Sequence, residues 1–232
     1  MALARWKDMC IDAADARALG TFWGQLLGLT VVEEDDGDVV LRGERDEQTI
    51  WINEVPEAKS VKHRVHIDVE AASVDSALAL GATMVLPASE SGFGWTVLTD
   101  PEGGELCVFE REAHPAGAPA RLFELIVDTA TTATSAAQAR WWAKVLEGEA
   151  RDDERGFSYV ERVPSLPFDK IDFIPVPEPK SVKNRIHWDI TSDDLEALEA
   201  QGARVLVHPT ETTHWHVCQD LDGNEFCVFT SD

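Results

Sequence analysis

At 232 residues, 44% of them hydrophobic and 27% charged, the chain has room for one large domain or two of ordinary size. Its 43 acidic and 20 basic residues leave a net charge of −23, which repels phosphate backbones and anionic lipids and so excludes nucleic acid as an expected partner. No apolar run reaches the length of a membrane span, charges interrupt the N-terminal "MALARWKDMCID" where a signal peptide needs an apolar core, and four cysteines do not make a disulfide framework, so the expectation is a cytoplasmic protein with reduced thiols and no membrane partner. The acidity serves solubility first; it also attracts cationic small molecules.

Taken in chain order, "MCIDAADARALGTFWGQLLGLTVVEED" (Met9 to Asp35) predicts strand, helix, glycine, strand. Leu19, Phe22, Trp23, Leu26 and Leu27 fall on one helical face, and Gly28 stands where the helix ends. Strand-like "DVVLRGE" and "TIWINEV" follow. The order then restarts: "VHIDVEAASVDSALALGATMVLP" (Val65 to Pro87) again predicts strand, helix, glycine, strand, followed by "WTVLTD" and "ELCVFE". A linker rich in Ala, Pro and Gly, "EAHPAGAPAR", leads into a second copy of the whole pattern. "VPEAKSVKHRVHIDV" (Val55 to Val69) returns as "VPEPKSVKNRIHWDI" (Val176 to Ile190) with ten identities in fifteen, and "TDPEGGELCVFE" returns as "QDLDGNEFCVFT". Phe22 and Trp141 lie 119 apart, His66 and His187 121, and Glu105 and Glu225 120, the drift that small loop changes leave in a tandem duplication.

The predicted organisation is a first domain at 1–112, a linker at 113–120 and a second domain at 121–232. Their βαβββ-like units fall at about 4–56 and 63–111, then 121–177 and 184–231. Gly28, Gly81, Gly148 and Gly202 each mark a helix end. Two units together bury a core that one alone does not.

A strand ending in Asp, a helix carrying "FW" and closing on "LLG", and "DPEG" before a last strand resemble the vicinal oxygen chelate superfamily of glyoxalase I, extradiol dioxygenases and bleomycin-resistance proteins, and within it the small glyoxalase-like domains. The resemblance spans nearly the whole chain. It implies an α+β fold: a tandem pair of glyoxalase-like domains, each of two βαβββ units whose curled mixed sheets surround a cavity. It also implies metal ligands on first and last strands. Asp8, seven residues before Asp15, and His66 take the first-strand positions in the first half; Glu124 and His187 take them in the second. The last strands depart from the pattern, with Cys107 and Cys227 where a glutamate is expected and Glu105 and Glu225 two residues earlier. Asn53 and Ile174 replace a further carboxylate.

Two readings of these residues stand side by side. Asp8, His66 and Cys107, and separately Glu124, His187 and Cys227, form two divalent-metal sites of zinc type. Alternatively, the metal positions have become a polar pocket that binds a small molecule, cationic or aromatic, for sequestration or metal-independent chemistry. In that reading strand alternation turns Cys10, Asp68 and Asp189 to the pocket, and Trp51, Trp95, Trp188 and Trp215 lie on strands that can line it, while Trp23 and Trp142 belong to the core. His214 and His216 share a strand face and are candidates to join His187. The dense basic cluster, Lys59, Lys62 and Arg64 with its copy Lys180, Lys183 and Arg185, reads as a charged connector or as an anion contact at a pocket mouth. The expected state is a monomer or homodimer. No P-loop, dinucleotide fingerprint, nucleophile elbow or CxxC pair is present.

Overall fold

The computed structural model describes residues 2–230. Four βαβββ units follow one another. The first comprises β1 (Arg5–Ala13), α1 (Ala16–Leu27), β2 (Thr30–Glu33), β3 (Val39–Arg42) and β4 (Ile50–Glu54). The second comprises β5 (Val65–Ala71), α2 (Asp75–Ala79), β6 (Thr83–Leu86), the short α3 (Ala88–Ser91), β7 (Thr96–Thr99) and β8 (Glu105–Glu110). The third has β9 (Arg121–Thr129), α4 (Thr132–Leu146), β10 (Glu149–Asp152), β11 (Ser158–Glu161) and β12 (Lys170–Pro175). The fourth has β13 (Ile186–Thr191), α5 (Leu195–Ala200), β14 (Arg204–Val207), β15 (His216–Gln219) and β16 (Glu225–Phe229).

Local chemistry sets these boundaries. Asp15 accepts the Ala18 amide at 2.9 Å and so caps α1, Thr131 does the same for α4 through Thr134, and Asp194 caps α5 through Ala197. Gly28 ends α1 in the left-handed conformation at φ 67°. At the end of α4 the left-handed residue is Glu147, not the expected Gly148; Gly148 follows because a Cβ there would meet Val163 at 2.6 Å. The "DPEG" and "DLDG" motifs prove to be turns. Asp100 accepts the amides of Glu102 and Gly104, Asp220 those of Asp222 and Asn224, and each turn aims the strand that follows it.

The units pair into two eight-stranded mixed sheets, and the pairing is crosswise. Sheet A runs β14-β15-β16-β13-β1-β4-β3-β2, joining the first unit to the fourth. Sheet B runs β10-β11-β12-β9-β5-β8-β7-β6, joining the third to the second. β1 and β13 meet antiparallel at the seam of sheet A, with Cys10 opposite His187; β5 and β9 meet likewise in sheet B, with Asp68 opposite Glu124. Each half of the chain contributes one half of both sheets.

One face of each sheet packs on helices and forms a continuous core. Met9, Ile11, Ile52, Ile67, Leu125, Phe173, Trp188 and Phe226 lie in it with Trp23 of α1 and Trp142 of α4. Trp142 touches Trp188 and Phe226 of sheet A at 5.0 and 5.1 Å between ring centres, so the third unit's helix is wedged against the fourth unit's strands. Alternation then turns every second residue of the seam strands to the opposite face, where each sheet presents a polar cleft. No helix is long and apolar enough to cross a membrane among the described residues.

Candidate functional site: two clefts of one plan

Cleft A lies on sheet A. Its floor carries Asp8, Cys10 and Asp12 from β1, Trp51 and Asn53 from β4, His187 and Asp189 from β13, and Cys227 from β16. The register sets Asp8 directly opposite Asp189. Cys10 Sγ stands 3.7 Å from Asp189 Oδ2, and His187 Nε2 lies 3.8 Å from Asp189 Oδ1. Trp51 donates its indole N–H to Asp8 Oδ2 at 3.3 Å. A pairing irregularity between Trp6 and Asp8 re-aims Lys7 into the cleft, where its ammonium meets Asp8 at 2.5 Å and the Phe229 ring at 4.1 Å. The floor opens into a cavity of about 540 Å³ bounded also by Asp36, Asp38, Trp215 and Glu225.

Electrostatics in cleft A follow from burial. His187 is held neutral, its pKa lowered to about 4 by desolvation, because a buried imidazolium loses its hydration. Desolvation, reinforced by Asp8, pushes the Asp189 carboxyl well above the usual carboxylate range. Burial raises the thiols of Cys10 and Cys227 as well, with Asp189 adding to both. Asp8 Oδ1, Asp189 Oδ1 and His187 Nδ1 are buried without a hydrogen-bond partner. Such groups carry unfilled capacity for a ligand.

Cleft B repeats the plan on sheet B with different contents. His66 Nε2 lies 3.4 Å from Asp68 Oδ1 and 4.0 Å from Cys107 Sγ. Where cleft A has Thr49, the residue before Ile50, cleft B has Lys170; its ammonium bridges Glu124 and Asp172 at 2.6 Å each and lies over the rings of Phe123, Phe157 and Tyr159 at 5.0–6.0 Å. Desolvation and the Glu124 charge push Asp172 up to about 7, and desolvation pushes Asp68 well up. His66 is lowered to about 3 by desolvation. Trp95 stacks on Phe93 at 4.7 Å and on Phe109 at 5.1 Å along the outer strands.

The glyoxalase-like domain profile matches the chain twice, over residues 8–109 and 124–229. The chain belongs to the glyoxalase-like domain family. It is similar in fold to glyoxalase I from Zea mays (TM-score 0.68, 12% identity, 97% of this chain and 92% of that one covered). It is also similar to a putative dioxygenase from Bacillus subtilis (TM-score 0.66, 12% identity, 99% and 86% covered) and to cppA protein from Streptococcus pneumoniae (0.54, 10%, 99% and 99%). No curated protein sequence matches. At these identities the likeness establishes the fold alone.

Each match covers two units of one half, whereas each cleft draws on both halves. The predicted clusters are therefore regrouped. Asp8 does not meet His66 and Cys107, nor does Glu124 meet His187 and Cys227. Asp8 joins His187 and Cys227 in cleft A, and Glu124 joins His66 and Cys107 in cleft B, because β1 pairs with β13 and β5 with β9. Trp188 is in the core, fully buried between the two cleft residues His187 and Asp189. His214 and His216 do not reach His187. Trp215 and Val217 take the cleft face, His216 packs on His208 at 5.3 Å across the sheet, and His214 is exposed.

Glu105 and Glu225 anchor the connectors that precede β5 and β13. Glu105 pairs with Lys59 at 3.2 Å and accepts the His63 amide; Glu225 pairs with Lys180 at 2.9 Å and accepts the Asn184 amide. The rest of the basic cluster clasps the two connectors together. Arg64 donates to Glu178 O and Arg185 to Glu57 O, while Lys62 pairs with Asp128 and Lys183 with Asp12.

Lys7, Asp36, Asp38, Lys170 and Asp172 were not anticipated. Alternation in "KIDFIP" places Lys170 and Asp172 on the cleft face, which is the signal that finds them.

For a divalent metal the donor chemistry fits in both clefts. Ligand atoms of Cys10, His187 and Asp189 lie within 4.8 Å of one another, and so do those of His66, Asp68 and Cys107. Imidazole, thiolate and carboxylate are zinc-type donors, and the orphaned Asp and His atoms lie among them.

Proposed function

We propose that cleft A binds a small organic molecule, for sequestration or for chemistry that needs no metal. The observation that carries this reading is the cavity of about 540 Å³ that sets aromatic walls around buried polar groups with unfilled hydrogen-bonding capacity. Binding sites of this kind are concave and largely apolar, with a few polar groups that fix orientation. Both walls come from one chain, so binding needs no second copy. The test is tryptophan fluorescence against a panel of small aromatic, cationic and anionic compounds, with Trp51→Phe and Trp215→Phe as locators. A saturable response that is reduced in these variants is expected; no response to any member of the panel overturns the reading.

The two donor triads favour a second reading, a divalent ion on Cys10, His187 and Asp189 or on His66, Asp68 and Cys107. Such an ion polarises a substrate carbonyl or lowers the pKa of a bound water. Metal analysis after dialysis against Zn²⁺, Ni²⁺, Mn²⁺ or Fe²⁺ decides it. A full equivalent lost in His187→Ala places the ion in cleft A, a full equivalent lost in His66→Ala places it in cleft B, and only traces of metal remove this reading.

A further inference from the structure

The hairpin at the mouth of each cleft has the same turn, which fixes an exact correspondence between their residues. Between β2 and β3, Glu34 N donates to Asp38 O at 2.9 Å and Gly37 N to Glu34 O at 3.2 Å. Between β10 and β11, Asp153 N donates to Phe157 O at 2.8 Å and Gly156 N to Asp153 O at 3.0 Å. Asp36 therefore matches Arg155, and Asp38 matches Phe157. Both hairpins are acidic, but one charge is inverted: Asp36 stands where the other hairpin has Arg155, which pairs with Asp153 at 2.9 Å.

The floors differ in the same sense. Cleft B supplies its own cation, the Lys170 ammonium held by two carboxylates and three aromatic faces. In cleft A that position belongs to the hydroxyl of Thr49. The two lysines that line cleft A are already committed, Lys7 to Asp8 and Lys183 to Asp12. Asp36 and Asp38 form no ion pair with a lysine or arginine among the described residues. Trp51 stands beside them, and Trp215 stacks on Phe229 at 5.4 Å across the cavity. At the floor Asp189, only 4% exposed, lines the same cavity and has one buried oxygen without a hydrogen-bond partner.

We infer that the ligand of cleft A is an organic cation, its positive head held by Asp36 and Asp38 against the faces of Trp51 and Trp215, with its hydrogen-bond donors reaching Asp189. This rests on the proposal that cleft A binds a small molecule, and it names the ligand's charge. Cation–π attraction from Trp51 and Trp215 acts here together with carboxylates that no lysine or arginine neutralises; Asp36 is exposed, so its pull on a cation is one that salt screens.

Three benzylic probes of different charge test it: benzylammonium, benzyl alcohol and phenylacetate, each titrated at low salt with tryptophan fluorescence as the readout. The cation is expected to bind about tenfold tighter than either of the others. Its signal should fall in Trp51→Phe and persist in Trp95→Phe, and added salt should weaken it. Asp36→Asn should weaken the cation several-fold and leave benzyl alcohol unchanged; the wild-type comparison among probes stands even if that variant misfolds. Phenylacetate or benzyl alcohol binding as tightly as the cation, with the signal at Trp51, overturns the inference and leaves the small-molecule proposal standing. A cation signal that follows Trp95 also overturns it. If none of the three binds, the inference falls, and the broader panel then decides the proposal beneath it.

Discussion

Clefts A and B share a backbone plan, a histidine, a facing pair of carboxylates and a last-strand cysteine, yet cleft A sets Lys7 on Asp8 beside a cavity, whereas cleft B sets Lys170 between Glu124 and Asp172. The difference is concentrated on cleft faces. Thr49 stands against Lys170, Trp51 against Asp172, Cys10 against Ile126 and Asp36 against Arg155, while the core-facing neighbours Ile11, Ile52, Val127 and Phe173 stay apolar and buried. A duplicated scaffold thus keeps the residues that pack and varies those that face the solvent-filled side, where a change costs little unless it strands a charge.

Removing each cleft's lysine is the strongest way to break this comparison. Lys170→Ala leaves Glu124 and Asp172 buried without their counter-charge, and the expected loss is about 3–5 kcal/mol in urea unfolding at pH 8. Asp172 titrates near 7 in the folded protein and holds its proton below that, so the penalty should shrink at pH 5.5. Lys7→Ala leaves one buried carboxylate, Asp8, without its counter-charge rather than two, and should cost less, about 1–3 kcal/mol. Equal losses for the two variants would show that the clefts are energetically alike.

Acid titration sharpens the contrast on a smaller scale. His187 has a folded pKa of about 4 and His66 of about 3, both below the ordinary 6.5. The unfolded chain therefore binds protons that the folded one refuses as pH falls below 6.5, and stability declines on the acid side. The raised carboxyls Asp68, Asp172 and Asp189 act with the opposite sign, since the fold keeps their protons at pH values where the unfolded chain has released them. The readout is therefore the difference in slope between each variant and wild type. His187→Gln and His66→Gln should each flatten the acid-side decline by about 2 kcal/mol between pH 6.5 and pH 4, measured by urea unfolding across pH.

The smallest expected effects are at the mouths. Asp36→Asn and Arg155→Gln should each change stability by less than about 0.5 kcal/mol, because both side chains are exposed. A larger change in either, seen in thermal unfolding, would mean that the mouth charges hold the fold rather than face a ligand.

Much of this was legible in the sequence. Repetition exposed four units, alternation separated Met9 and Ile11 from Asp8 and Cys10, and Asp15 marked a cap. Partner choice was not legible. Periodicity says which face of a strand is buried but not which edge it meets, and four similar units present four similar edges. Trp188 was within reach of the sequence, since alternation between His187 and Asp189 sends it inward. His216 pairs with the core residue Val228, so the register of β15 turns it away from the cleft, while His214 lies before the strand begins. Asp172 lies two residues before Ile174 on the same face of β12, so alternation alone places it in cleft B.

Crosswise pairing also dictates an order of assembly. Sheet B joins units that are neighbours in the chain, so β5 can meet β9 as soon as residue 129 is available. Sheet A must hold β1 unpaired on its seam edge until β13 has been synthesised, more than 170 residues later. Contacts so distant form slowly and leave a strand edge open to intermolecular pairing in the meantime. Cleft A is thus the last part of the molecule to close, and any compound that bound there would act as a folding aid by favouring the completed seam.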